Sequence, residues 1–212
     1  RIIATIDRAI GLQVLEQDVF GERMLMFSHD RIREALYSTV DESRRKTIHH
    51  AIARIMERSS CHNGNDLVFD IAYHYMESGD EAKTLEFSMN AGMIAKSNYA
   101  NEDALKYFKT CRTIIEKSVE KKNKHDEQQL IKCKENIGDL YLRTGELDRA
   151  IDLYQSILDR QDSALRKGAV YRNICQAYFK MGDWERCERF VMKGLGVLGE
   201  SLPGKAFGPC RD

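Results

Sequence analysis

A block of helix-compatible sequence repeats itself inside the chain. Ile137-Gly138-x-Leu140-Tyr141-x3-Gly145-x4-Ala150-x3-Tyr154 recurs without a gap, 37 residues on, as Ile174-Cys175-x-Ala177-Tyr178-x3-Gly182-x4-Cys187-x3-Val191. The same frame, set back by 46 residues, catches Gly92, Ala95, Ala104 and Phe108. Recurrence at such a period marks a chain built from one supersecondary unit, here two antiparallel helices and a short turn. Small residues at Gly138 and Ala150 are placed to let the helices of a pair approach closely. Tyr141 is placed to fill the groove between them and Gly145 to reverse the chain. One pair cannot bury its apolar face alone, but stacked pairs can, each contacting mainly its neighbours, so the spacing predicts a curved α-solenoid.

Helical periodicity and turn residues place the helices at about 42–59, 66–77, 80–98, 100–118, 126–144, 147–160, 163–181 and 184–198. The pair 42–59 and 66–77 rests on length and not on the motif. Before it the pattern differs. Ile2, Ile3, Ile6 and Ile10 recur at helical spacing, with Gly11 read as a left-handed stop. Leu12–Glu16 and Met24–Phe27 read as a short β-hairpin around a polar turn at Asp18 and Gly21, and a helix starts at about His29 with Ser28 as its N-cap. Helix, hairpin and helix together read as a winged-helix remnant. The expected organisation is therefore mostly α: 1–40 the end of a winged-helix domain, 41–79 a connecting helix pair, 80–200 helical repeats and 201–212 a flexible tail. Because the chain opens on Arg1 inside that first unit, a piece of a larger protein is expected.

The 212 residues are 42% hydrophobic and 31% charged, and 33 Lys and Arg balance 33 Asp and Glu. No net field draws such a chain to nucleic acid or an anionic membrane, and no apolar run reaches the roughly 20 residues of a spanning helix. A cytoplasmic protein without nucleic-acid or membrane partners is expected. Six cysteines are scattered without a C-x-x-C. They are read as reduced, with Cys175 and Cys187 filling the small-residue positions of the last pair. Neither a phosphate-binding G-x-x-x-x-G-K-[ST] nor a G-x-S-x-G elbow occurs, so the chain is expected to be no enzyme, with no catalytic residues. The histidines show no metal-ligand spacing, and no metal is expected. Arg44-Arg45-Lys46 follows Asp41 and Glu42 and reads as a self-paired, solvated turn. Trp184 is expected to pack between repeats.

His29 stands at the strand–helix corner, beside free backbone N–H groups where a phosphate binds readily. From its spacing alone, the favoured reading is a histidine that only caps the helix and packs on the hairpin.

The repeat, best seen over Glu135–Leu158, resembles the tetratricopeptide repeat, which implies a right-handed α-solenoid over about 80–200. The chain departs from that family in lacking a closing proline, in spacings of 37 and 46 residues and in the two cysteines of the last pair. Phe27-Ser28-His29-Asp30-Arg31-Ile32-Arg33-Glu34-Ala35-Leu36-Tyr37, followed by Arg44, Arg45 and His49, resembles the winged-helix end of STAND-class signal-transduction ATPases. There a Met-His-Asp type motif lets the histidine contact the β-phosphate of ADP; here Ser28-His29-Asp30 stands in its place, without the methionine. The resemblance implies His29 as a nucleotide-phosphate contact and Asp30 as its support. The ATP or ADP would be held by an upstream domain, in a parent that is an ATPase, kinase or cyclase, while the fragment itself carries no cofactor.

Two roles follow. The first is a non-catalytic regulatory region that couples a nucleotide-sensing winged helix to a repeat scaffold, its partner the parent's own ATPase domain or another protein. The second is a plain adaptor whose groove takes a peptide or helix of a partner protein, with Asn136, Arg172 and Asn173 as groove residues. DNA binding by the winged helix is weak, since the segment has no basic recognition helix.

Overall fold

The computed structural model describes residues 2–17, 25–63, 67–117, 124–161 and 163–200. Among these, ten helices and one two-stranded sheet follow in the order α1 (Ile2–Gly11), β1 (Leu15–Gln17), β2 (Leu25–Phe27), α2 (Asp30–Thr39), α3 (Glu42–Asn63), α4 (Val68–Ser78), α5 (Glu81–Ser97), α6 (Asn101–Lys117), α7 (Lys124–Thr144), α8 (Leu147–Leu158), α9 (Ala164–Met181) and α10 (Trp184–Leu198). From α3 to α10 each helix packs against its neighbours in the chain. The pairs that carry the internal sequence repeat are α5–α6, α7–α8 and α9–α10. The predicted tail 201–212 and the hairpin turn around Asp18 and Gly21 lie outside the described residues.

The core is a strip along this array, its largest fully buried side chains being Tyr75, Tyr154 and Phe108. What sets the distance within a pair is a glycine facing a ring. A Cβ on Gly138 would lie 2.9 Å from Tyr154 Cε1, and a Cβ on Gly92 would lie 2.9 Å from Phe108 Cε1. The ring that closes on Gly138 is therefore that of Tyr154, not Tyr141. Tyr141 sits at the core's margin with the Lys109 and Arg149 cations over its face at 5.6 and 5.8 Å. In the last pair Cys175 takes the glycine's place and Val191 the ring's. A larger residue on one helix is thus matched by a smaller one on the other, keeping the summed volume roughly constant.

The turns repeat with equal fidelity. Gly145 and Gly182 adopt φ of 87° and 76°. The N–H that follows each donates to a carbonyl in the helix before it, Glu146 to Tyr141 at 2.9 Å and Asp183 to Tyr178 at 3.0 Å. Ala100 donates to Ala95 at 3.0 Å in the same way, but there the left-handed residue is Tyr99, at φ 61°. Successive pairs are also joined by a repeated cap: Arg143 Nη1 donates to the Lys96 carbonyl at 3.0 Å, and Lys180 Nζ to the Leu142 carbonyl at 2.9 Å. Each cation of a later helix thus donates to a carbonyl in the last turn of an earlier one; that of Lys96 also accepts from the Tyr99 N–H at 3.4 Å.

The N-terminal part differs from expectation in its details. α1 runs through Gly11, and Gln13 takes the left-handed position at φ 56°. The N–H of Val14 then reaches the Ala9 carbonyl at 2.9 Å. Ser28 is no N-cap. Its hydroxyl donates to the Gln13 carbonyl at 2.6 Å, and His29 occupies the cap position of a helix that starts at Asp30. β1 and β2 pair antiparallel, with Leu15 opposite Phe27. No described residue before His49 is buried, and Ile2, Ile3, Leu12 and Met26 are exposed. Asp41 caps α3 by accepting from the Arg44 N–H at 2.9 Å, and Lys46 pairs with Glu42, while the Arg45 guanidinium stands over the Tyr37 ring; the basic run thus opens a helix rather than a turn and is self-paired only in part. Trp184 does not pack between pairs: 63% of it is exposed, and it stands edge-on to Phe179 at 4.9 Å.

Two substitutions test this construction by chemical denaturation. Gly138→Ala is expected to cost about 1–3 kcal/mol, because the new methyl group overlaps the Tyr154 ring. Tyr99→Gly is expected to stabilise by about 1 kcal/mol, since glycine removes the left-handed penalty that tyrosine carries there.

Candidate functional site

The first helices of the three pairs, α5, α7 and α9, place a line of polar side chains on one face. At its centre is Asp139 of α7. Lys96 Nζ of α5 donates to Asp139 Oδ2 at 2.6 Å and to Asn136 Oδ1 at 2.8 Å. Tyr154 O–H donates to Asp139 Oδ1 at 2.6 Å, and Asn173 Nδ2 of α9 reaches the same oxygen at 3.4 Å. Arg172 donates to Asn173 Oδ1 from Nε at 3.3 Å and from Nη2 at 3.1 Å. Asn136 Nδ2 donates to the Lys132 carbonyl at 2.9 Å. One carboxylate thus ties three helix pairs together. Lys96, only 15% exposed in its side chain, supplies the charge that makes this tolerable.

Beside the network an open groove of about 460 Å³ lies between α7 and α9, with His125, Lys132, Glu135, Arg166 and Asn173 among its walls. Burial raises the Glu135 carboxyl above the usual carboxylate range. The nearby Asp139 adds to the shift, while the amide of Gln161, donating to Glu135 Oε1 at 2.9 Å, opposes it. Burial, and then the bond to Asp139, also raises the Tyr154 hydroxyl, so it stays a donor. A groove of this size with mixed donors and acceptors suits a polar chain better than an apolar ligand.

Of the sequence candidates, Asn173 therefore reaches Asp139 directly, Arg172 is tied to Asn173, and Asn136 shares the Lys96 ammonium with Asp139. Lys96, Asp139 and Glu135 were missed. The only signal for them is that Asn90, Asn136 and Asn173 recur two residues before the small residue of each pair, which marks the face but not its charged members. His29 and Asp30 lie on another part of the chain, where α2 packs on β2. His29 is exposed in extended backbone, φ −145° and ψ 136°, and its side chain makes no capping bond. Asp30 pairs with Arg33 at 3.4 Å on the surface.

A second polar cluster, not foreseen as one, joins α2, α3 and α4. Tyr37 O–H lies 3.0 Å from Nε2 of the buried His49, whose Nδ1 lies 2.8 Å from His74 Nδ1. Two ring nitrogens can bond only if one carries the proton. Tyr37 donating to His49 Nε2, and His49 Nδ1–H donating to His74 Nδ1, is an assignment that serves both contacts. Tyr73 stands edge-on to His49 at 5.8 Å, and Arg45 lies over Tyr37 at 5.1 Å. Among the described residues no group of three or more His, Cys, Asp or Glu could hold a metal ion. Nor is any helix among them long and apolar enough to cross a membrane.

No family model matches the chain. FK506-binding protein 5 of Rhizopus delemar is 33% identical over 79 residues, which are 35% of this chain and 20% of that protein. The chain therefore spans about a fifth of the length of that relative. The crystal structure of BtubC (BKLC) from P. vanneervenii superposes with a TM-score of 0.53, covering 86% of this chain and 79% of that one at 18% identity. At that identity the likeness is one of fold.

The histidine pair has a signed pH dependence. Burial, and then His49, lowers the His74 pKa below its ordinary 6.5. Its contribution to stability is present above pH 6.5 and is lost as pH falls through the lower folded value. Urea midpoints measured from about pH 7.5 down to 5 should fall, and the fall should flatten in His74→Asn.

Proposed function

We propose that the chain is a non-catalytic protein-interaction scaffold, a right-handed tetratricopeptide-like solenoid whose α5–α7–α9 face takes an extended segment of a partner protein. The observation that carries this reading is the convergence of Lys96 of α5 and Asn173 of α9 on Asp139 of α7, with Asn136 joined to the same lysine. An extended polypeptide brings a row of backbone N–H and C=O groups that must be paired when they leave water. Side-chain amides offer both kinds of partner. Asn136 still has a second N–H and a second lone pair beyond its bonds to Lys132 and Lys96. Because the network already holds these side chains, a bound segment would cost little further ordering. The consecutive packing of helix pairs supports the scaffold.

The regulatory role rests on the resemblance of Phe27–Tyr37 to the winged-helix end of STAND-class ATPases. In it His29, supported by Asp30, contacts a phosphate of ADP held by an ATPase domain of the parent protein. An exposed imidazole without a capping bond supports this part. Making or losing the phosphate contact would then move the hairpin and, through Tyr37 and His49, the array behind it. In the parent, His29→Ala is expected to speed ADP release and raise basal output; unchanged retention and output together would reject the coupling.

The scaffold is tested separately. Peptides selected from a random display library on the immobilised chain should bind with an affinity that falls roughly tenfold or more in Asn136→Ala/Asn173→Ala, as for the loss of one or two hydrogen bonds. Fluorescence anisotropy measures this, with the melting temperature as control. Undiminished affinity in a folded variant would reject the face as the binding surface.

A further inference from the structure

The last helix pair carries two thiols where its relatives carry none. Gly92 and Ala104 in α5–α6, and Gly138 and Ala150 in α7–α8, become Cys175 and Cys187 in α9–α10. Their Sγ atoms lie 2.7 Å apart. The helices that hold them are pinned on either side. A Cβ on Gly194 would lie 3.1 Å from Tyr171 Cβ, a Cβ on Gly168 would lie 3.2 Å from Leu198 Cδ1, and Tyr178 stacks on Phe190 at 5.4 Å. Both thiols are half-buried and free. Cys111 and Cys133 are also free, but they are fully buried.

We propose that Cys175 and Cys187 form a thiol-oxidation site, a dithiol that a low-molecular-weight disulfide converts to an intramolecular disulfide between α9 and α10. One protein thiolate attacks a sulfur of the small disulfide, forming a mixed disulfide and releasing one small thiolate. The second protein thiolate attacks the mixed disulfide at the protein sulfur and releases the other. The protein loses two electrons and two protons, and the small disulfide becomes two thiols, so no further oxidant is needed.

Closing the bond requires the sulfurs to move together by about 0.7 Å, from 2.7 Å to the bonded separation. Burial, and then the neighbouring thiol, push Cys175 up to about 12. Exchange is therefore slow at neutral pH and quickens as pH rises. The product is a staple across the pair that carries Arg172 and Asn173, fixing one wall of the groove whether or not that groove binds a peptide.

The full chain is incubated with excess oxidised glutathione at about pH 8, blocked with iodoacetamide after denaturation, and analysed by intact mass and peptide mapping, which resolves all six cysteines. The expected product joins Cys175 to Cys187 in one cross-linked peptide pair, leaves Cys111 and Cys133 alkylated, keeps its helical circular dichroism and melts roughly 5 °C or more above the reduced chain. Cys175→Ser should instead retain one glutathione on Cys187 and melt where the reduced chain does. Unmodified Cys175 and Cys187, a stable glutathione adduct on either in the unsubstituted chain, or loss of helical signal on cross-linking would each overturn the proposal.

Discussion

With only hydrogen as its side chain, Gly138 lets the backbone of α7 come so near the Tyr154 ring that a methyl group there would sit 2.9 Å from Cε1; Gly92 and Phe108 meet in the same way one pair earlier. That approach fixes how far apart the two helices of a pair can be, and the rest follows from it. The turns themselves are local helix caps, each with one left-handed residue and one backward hydrogen bond, and they recur at the ends of α1 and α10 as well. Where the glycine is gone, as at Cys175, the ring is gone too, and Val191 stands in its place. The conserved quantity along the array is thus the spacing and not the residue.

Close pairs make the polar face possible. Lys96, Asp139 and Asn173 belong to three different helices, yet they meet within hydrogen-bonding distance because those helices are held in register by the pairs behind them. The Asp139 carboxylate, with a lysine, a tyrosine hydroxyl and an asparagine amide around it, is satisfied before anything binds. Its neighbour Glu135, partly buried with one amide partner, is held less comfortably, which shows in its raised pKa. Polar satisfaction along this face is therefore graded, from a settled centre at Asp139 to a less settled edge at Glu135 beside the groove.

Helices, their pairing and the two turn glycines were legible because they depend on periodicity and on local backbone freedom. Gly145 and Gly182 can be recognised without knowing what surrounds them. Tyr99 could not be, since nothing about a tyrosine announces positive φ; only its alignment with Gly145 does. Gly11 misled for a related reason: the helix absorbed it, and the reversal fell on Gln13. Ser28 has the chemistry of an N-cap, but its hydroxyl serves as a donor to the Gln13 carbonyl instead of accepting from the helix. Asn136 and Asn173 were legible as members of a face, whereas Lys96 and Asp139 were not, because their pairing spans two helix pairs and depends on how the pairs stack. The same holds for His49 and His74, which sit on separate helices and meet only through packing.

The caps between pairs run one way along the chain. Arg143 and Lys180 each reach back to a carbonyl of the preceding pair, at Lys96 and at Leu142. A donor deprived of its carbonyl is an exposed cation that water serves well, whereas a carbonyl deprived of its donor is a helix end left to fray. These caps are therefore asymmetric under truncation: losing a later pair takes a donor from the last turn of the pair before it, whereas losing an earlier pair only hands a cation to water.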